Sequence, residues 1–143
     1  MQPGMDTSKP SWSGGAERDV GLVDRIRRAL QSKDIDALAG LYADSAVLEE
    51  VSSLNPPAHP LVLEGREAIL ERFRNEILRD PVSGWARQLK AVEIVDAIET
   101  DDALAFTEVR TYEAGDQAIA QHLARKRQGR IERDRVVVAW DAD

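Results

Sequence analysis

The period of the hydrophobic pattern changes once along this chain, and that change constrains the fold more than any other feature. In the first half the apolar residues recur at helical spacing. From Arg87 onward they alternate or sit in β-rich runs. Four such segments, Arg87 to Glu99, Ala103 to Glu113, Gln117 to Arg127 and Arg130 to Trp140, are separated by short polar turns at Thr100-Asp101-Asp102, Ala114-Gly115-Asp116 and Gln128-Gly129. Consecutive strands joined by turns this tight make an antiparallel meander. Helices first and strands later predict an α+β domain, with helices packed on one face of a curved sheet.

The helical half divides readily. From Glu17 to Ser32, Leu22, Val23, Ile26, Ala29 and Leu30 lie opposite Asp24, Arg25, Arg27 and Arg28, the pattern of an amphipathic helix. Asp34 is an N-cap for a shorter second helix carrying Leu38, Leu41 and Tyr42, which Asp44 and Ser45 end. Ala46 to Val51 has strand character and bears the acidic pair Glu49-Glu50. Ser52 to Pro60, with Asn55-Pro56-Pro57 inside it, is an irregular loop. Gly65 opens a third helix whose buried stripe is Ile69, Leu70, Phe73 and Ile77, stopped by Asp80-Pro81. Trp85 beyond it is expected in the core. Residues 1–16, rich in Pro, Gly and Ser, read as a tail, and residues 17–143 as one domain.

Composition excludes several classes. A net charge of −7 disfavours nucleic acid and anionic membrane surfaces as partners. The chain has no cysteine, so thiolate chemistry, disulfides and cysteine-based zinc sites are out of reach. Two histidines without ligand spacing give no expectation of a metal, and no phosphate-cradling glycine loop or serine elbow points to a cofactor. Arg125, Lys126, Arg127, Arg130, Arg133 and Arg135 form a basic run, but alternation splits it over two faces and no aromatics interleave it, so it reads as solvated surface. No apolar run approaches the roughly 18 residues of a membrane span, and the opening residues lack a signal-peptide layout; the expected compartment is the cytoplasm.

Four short motifs, taken in order, carry a resemblance. They are Lys33-Asp34-Ile35-Asp36-Ala37-Leu38, Leu41-Tyr42-Ala43-Asp44-Ser45-Ala46-Val47, Gly65-Arg66-Glu67-Ala68-Ile69 and Gly129-Arg130-Ile131. Together with the element order they resemble the NTF2-like superfamily, SnoaL-like branch, over about residues 17 to 141. The resemblance implies a cone-shaped barrel in which three N-terminal helices pack on a curved, mainly antiparallel sheet. It also implies a deep pocket for a small apolar or semi-polar molecule, commonly in a homodimer. Known activities in the family include isomerases, polyketide cyclases and dehydratases, beside pure binding proteins, so fold membership does not choose among them.

The local match to ketosteroid isomerase sets Glu50 at the position of the proton-abstracting carboxylate. The isomerase's helix-one tyrosine falls on Ile26 and its protonated aspartate on Gln121, so two of three catalytic positions depart. Counting from the same motifs turns Gln121 to the pocket with Ile119 and Leu123, and His122 outward with Ala120 and Ala124; a slip of one residue exchanges the two faces. Glu132, Asp134, Val136, Val138 and Trp140 then line the pocket, which sets Asp134 opposite Glu50 as a second acid; the other reading of Asp134 is an ion pair with Arg110 or Arg133. For Glu50, alternation leaves Glu49 as the inward residue in one register, and an arginine pair is the bland role. Phe73, Phe106 and Tyr112 would hold an apolar ligand. Leu104, Phe106 and Tyr112 share a face with Glu108 and Arg110, which fits a semi-polar pocket wall or a core stripe with an ion pair at its edge. His59, in the proline loop, is expected in solvent.

Overall fold

The structure, a computed structural model, describes residues 21–75 and 89–141. The expectations for the tail, the first turn of the first helix, Ile77, the Asp80-Pro81 stop and Trp85 lie outside the described residues. Helix α1 spans Leu22–Ser32 and α2 spans Ile35–Ala39. Strand β1 follows at Tyr42–Val51, then β2 at Leu61–Glu64 and helix α3 at Arg66–Phe73. Strands β3 (Leu89–Glu99), β4 (Ala103–Tyr112), β5 (Gln117–Arg127) and β6 (Arg130–Trp140) complete the order. The fold is α+β with one six-stranded sheet in the order β2-β1-β6-β5-β4-β3. Strand β1 runs parallel to β6 and all other neighbours are antiparallel.

The local chemistry accounts for these boundaries. Asp34 caps α2, its Oδ1 accepting the Ala37 N–H at 3.0 Å. The β5–β6 hairpin turns on Gln128 and Gly129, with φ of 53° and 78°; two consecutive positive-φ residues match the right-handed twist of the strands they join. Helix α1 has no side-chain cap from its own Gly21. Glu99, at the far end of β3, supplies one instead, accepting the Leu22 N–H at 2.9 Å and the Val23 N–H at 3.2 Å while pairing with Lys126 at 2.7 Å. Burial works to raise the Glu99 pKa, but the hydrogen bond from Lys126 and those two amides bring it below the ordinary value.

Two expectations are corrected. Asp44 and Ser45 do not end a helix: α2 stops at Ala39, and β1 has begun by Tyr42. Tyr42, Ala46, Leu48 and Glu50, an even number of residues apart, all point inward by simple alternation, while the pairing with β6 shifts between Tyr42 and Val47. The extended stretch Leu61–Glu64 was not foreseen; it is four residues long and pairs with Val47 to Glu50 at the sheet's edge.

The core lies between the helices and one face of the sheet. Leu22, Ile26, Ala29 and Leu30 of α1 and Ile69 of α3 meet Leu48, Ile94, Leu104, Phe106, Ile131 and Val136. Each large apolar side chain buried here contributes about 1.5–3 kcal/mol. The opposite sheet face is left open, with Ile119, Leu123 and Val137 between 43% and 57% exposed.

Candidate functional site

A cavity opens between the helices and the inner sheet face. Its apolar wall includes Ile26, Leu30, Leu38, Leu48, Phe73, Phe106, Val136 and Val138; its polar groups are Tyr42, Glu50, Arg72, Glu108, Arg110 and His122. The space open to the centres of water-sized molecules is ≈ 40 Å³, enough for about three waters at the ~10–15 Å³ each requires. It is narrow, mostly apolar and polar at a few convergent points, the composition of a small-molecule site.

Strand β5 gives the cavity one lining residue, His122, and its faces are the reverse of the sequence expectation. Ala118, Ala120 and Ala124 are buried and His122 lies with them, whereas Gln121 is exposed on the outer face with Ile119 and Leu123. Gln121 and Leu123 therefore do not line the cavity. The physical reason is space: the inner face meets helices and a cavity, so small side chains fit there, while the larger apolar residues stand on the open face. Three alanines at alternate positions were the available signal. Tyr112 is buried on the expected face of β4 but contributes nothing to the cavity lining. His59 is exposed, as expected.

His122 sits in a hydrogen-bonded chain. Its Nδ1 lies 3.1 Å from Asp134 Oδ2 and 3.2 Å from Oδ1, and its Nε2 lies 3.3 Å from Glu108 Oε1. The Tyr42 hydroxyl donates to Asp134 Oδ2 at 2.7 Å, and Arg110 Nε donates to Glu108 Oε2 at 2.6 Å. Phe106 stacks on the imidazole, with ring centroids 4.3 Å apart and planes 12° from parallel. The pairing follows from register: Phe106 is directly opposite His122, and Ala124 is directly opposite Asp134, which leaves room for Asp134 to reach diagonally to the ring. The one-residue shift between Arg125 and Lys126 sends Glu132 out to solvent while Asp134 stays in, so Glu132 is not a pocket residue.

The network sets its own ionisation. Burial alone would lower the His122 pKa, but the charge and hydrogen bond of Asp134, with those of Glu108, raise it to about 10. Burial alone would raise that of Glu108, but Arg110 and His122 bring it to about 2. The Tyr42 hydroxyl is pushed well above its ordinary value, by burial first and then by the Asp134 charge. His122 is thus an imidazolium held between two carboxylates.

Glu50 points inward and is 9% exposed, on the cavity wall. Its Oε2 accepts from Arg72 Nη2 at 3.1 Å, so the inward register and the arginine pair coexist. Glu49 turns away to Arg135 at 3.0 Å. Leu54, in the loop after β1, is 79% exposed. Asp134 is 1% exposed and is not part of the lining; it sits behind Tyr42 and His122, and neither Arg110 nor Arg133 is its ion-pair partner. Among the described residues no His, Asp and Glu cluster is arranged to hold a metal ion. Among them, too, no helix is long and apolar enough to cross a membrane.

The architecture is a six-stranded sheet with helices on one face and a cavity between them. No family model and no curated protein matches the sequence. Solved structures do. An NTF2-like protein of Mesorhizobium loti is 18% identical with a TM-score of 0.65, covering 92% of this chain and 95% of that one. A candidate ketosteroid isomerase of Kribbella flavida is 16% identical with a TM-score of 0.61, covering 85% and 76%. A candidate polyketide cyclase of Sinorhizobium meliloti is 19% identical with a TM-score of 0.57, covering 80% and 92%. The chain has the NTF2-like fold that these proteins share.

Proposed function

We propose that residues 17–143 form one SnoaL-like domain that binds a small, mainly apolar carbonyl compound and catalyses cofactor-free proton transfer on it. Glu50 is the base. The His122 Nε2–H, which rests 3.3 Å from Glu108 Oε1, turns from that carboxylate to donate to the oxygen that becomes negative as the proton leaves, and Asp134 holds and orients the ring through Nδ1. Phe73, Phe106 and Val136 contact the apolar body. The observation that carries this reading is the cationic His122 inside an apolar cavity whose wall also bears Glu50. A preorganised donor in such surroundings stabilises developing charge more than the same donor does in water. His122 is a poor base when already protonated, which leaves base duty to a carboxylate.

The test is deuterium uptake at the α-carbons of cyclohexanone in deuterium oxide, followed by NMR. The protein is expected to accelerate exchange over buffer and Glu50→Gln to abolish the acceleration. Undiminished exchange by that variant removes Glu50 as the base.

A second reading is supported by the outer sheet face. Ile119, Leu123 and Val137 form an exposed apolar strip on adjacent strands, suited to a homodimer, and a purely binding or dimerising role would require no chemistry in the cavity. Exchange at the buffer rate combined with a dimer in sedimentation would favour it.

A further inference from the structure

The charges around the cavity come in matched pairs: Glu50 with Arg72 at 3.1 Å, Glu108 with Arg110 at 2.6 Å, and Asp134 with His122 at 3.1 Å. Among the described residues the three carboxylates of the site are matched by three cations, with His122 lying between Asp134 and Glu108. A ligand carrying its own charge must break a pair or remain uncompensated, and both are costly in an apolar, poorly hydrated space. The three pairs are not equally fixed. Glu108 and Arg110 project from one strand two residues apart, and His122 is gripped from both sides and stacked on Phe106. Arg72 reaches Glu50 from a separate element, α3, with its side chain 34% exposed against 11% for Glu50. The balance therefore depends on a cation at the rim.

We propose that Arg72 is the specificity-determining residue that makes the cavity select uncharged ligands: by compensating Glu50 it excludes cations that the carboxylate would otherwise attract, and with its own charge matched by Glu50 it gives anions no net attraction. The inference rests on the cavity being the ligand site, but not on Glu50 being a base.

Calorimetry or saturation-transfer NMR at pH 7 with cyclohexanone, cyclohexylammonium and cyclohexanecarboxylate, three probes of one shape, tests it. The native protein is expected to bind the ketone at least about tenfold more tightly than either ion. Arg72→Met keeps the aliphatic stem and removes the charge, so cyclohexylammonium should overtake the ketone, whereas Arg72→Lys should retain the native order. Glu50→Gln, which leaves the guanidinium uncompensated, should instead favour the carboxylate. An ion preferred by the native protein, or a native order kept by Arg72→Met, overturns the proposal while leaving proton transfer open to its own test. Failure of all three probes to bind the native protein overturns the proposal and the cavity reading together.

Discussion

Tyr42 and Asp134, 92 residues apart in sequence, share a 2.7 Å hydrogen bond beneath the cavity, and through it the start of the first strand holds the base of the last. Both are almost fully buried, at 3% and 1% exposure. Removing one partner of a buried ion pair strands the other, at a cost of about 3–5 kcal/mol. Asp134→Ala is therefore expected to lower stability by that amount in urea unfolding, and Tyr42→Phe by roughly 1.5–3 kcal/mol, the worth of a hydrogen bond to a charged group. A loss below about 0.5 kcal/mol for either variant would contradict the network.

The same network fixes a pH window. Glu108 titrates near 2 in the fold against an ordinary 4.5. Its contribution is present in full above about pH 4.5 and is lost as pH falls towards 2. His122 titrates near 10 against 6.5, so its contribution is complete below pH 6.5 and disappears as pH rises through 10. Unfolding free energy from these groups is thus greatest between about pH 4.5 and 6.5. Replacing His122 with Asn should flatten the alkaline decline; an alkaline slope unchanged in that variant would show that the decline comes from elsewhere.

His122→Asn also bears on chemistry. If the imidazolium stabilises the developing oxyanion, its loss should slow cyclohexanone exchange by about 10²–10³ while changing probe affinity little. Equal losses in rate and binding would mean that His122 merely shapes the cavity.

How much of this was legible in the sequence differs by element. Strands β3 to β6 were readable because alternation and tight turns are local signals, and Asp34 announced α2 through its capping chemistry. The fate of Leu41 to Ser45 was not readable, since a helix end and a bulged strand use the same small polar residues there. Strand β2 is too short to carry a period. The contact of His122 with Asp134 depends on cross-strand register and a one-residue bulge, so no spacing within either strand announces it. The inversion of β5 is more instructive: counting from the family motifs turned Ile119 and Leu123 inward with Gln121, but room favoured alanine.

That inversion has its own test. A bulky residue at Ala124 would collide with Asp134 and the ring beside it, so Ala124→Leu is expected to cost about 1–3 kcal/mol. Leu123→Ser, on the open face, should change the stability of a single subunit by less than about 0.5 kcal/mol, while reducing any self-association seen by sedimentation. The reverse ranking would restore the original face assignment.

Glu99 lies 77 residues beyond Leu22, whose amide it receives, and α1 has no side-chain cap from its own Gly21. On a chain made from its N-terminus, α1 is complete long before that carboxylate exists. An eleven-residue helix alone in water is marginal, and closing so long a loop is entropically unfavourable until the intervening strands have formed. The helix that roofs the cavity is synthesised 77 residues ahead of the carboxylate that caps it, yet its own start is secured only after the third strand is in place. The pocket is finished from the far end of the chain.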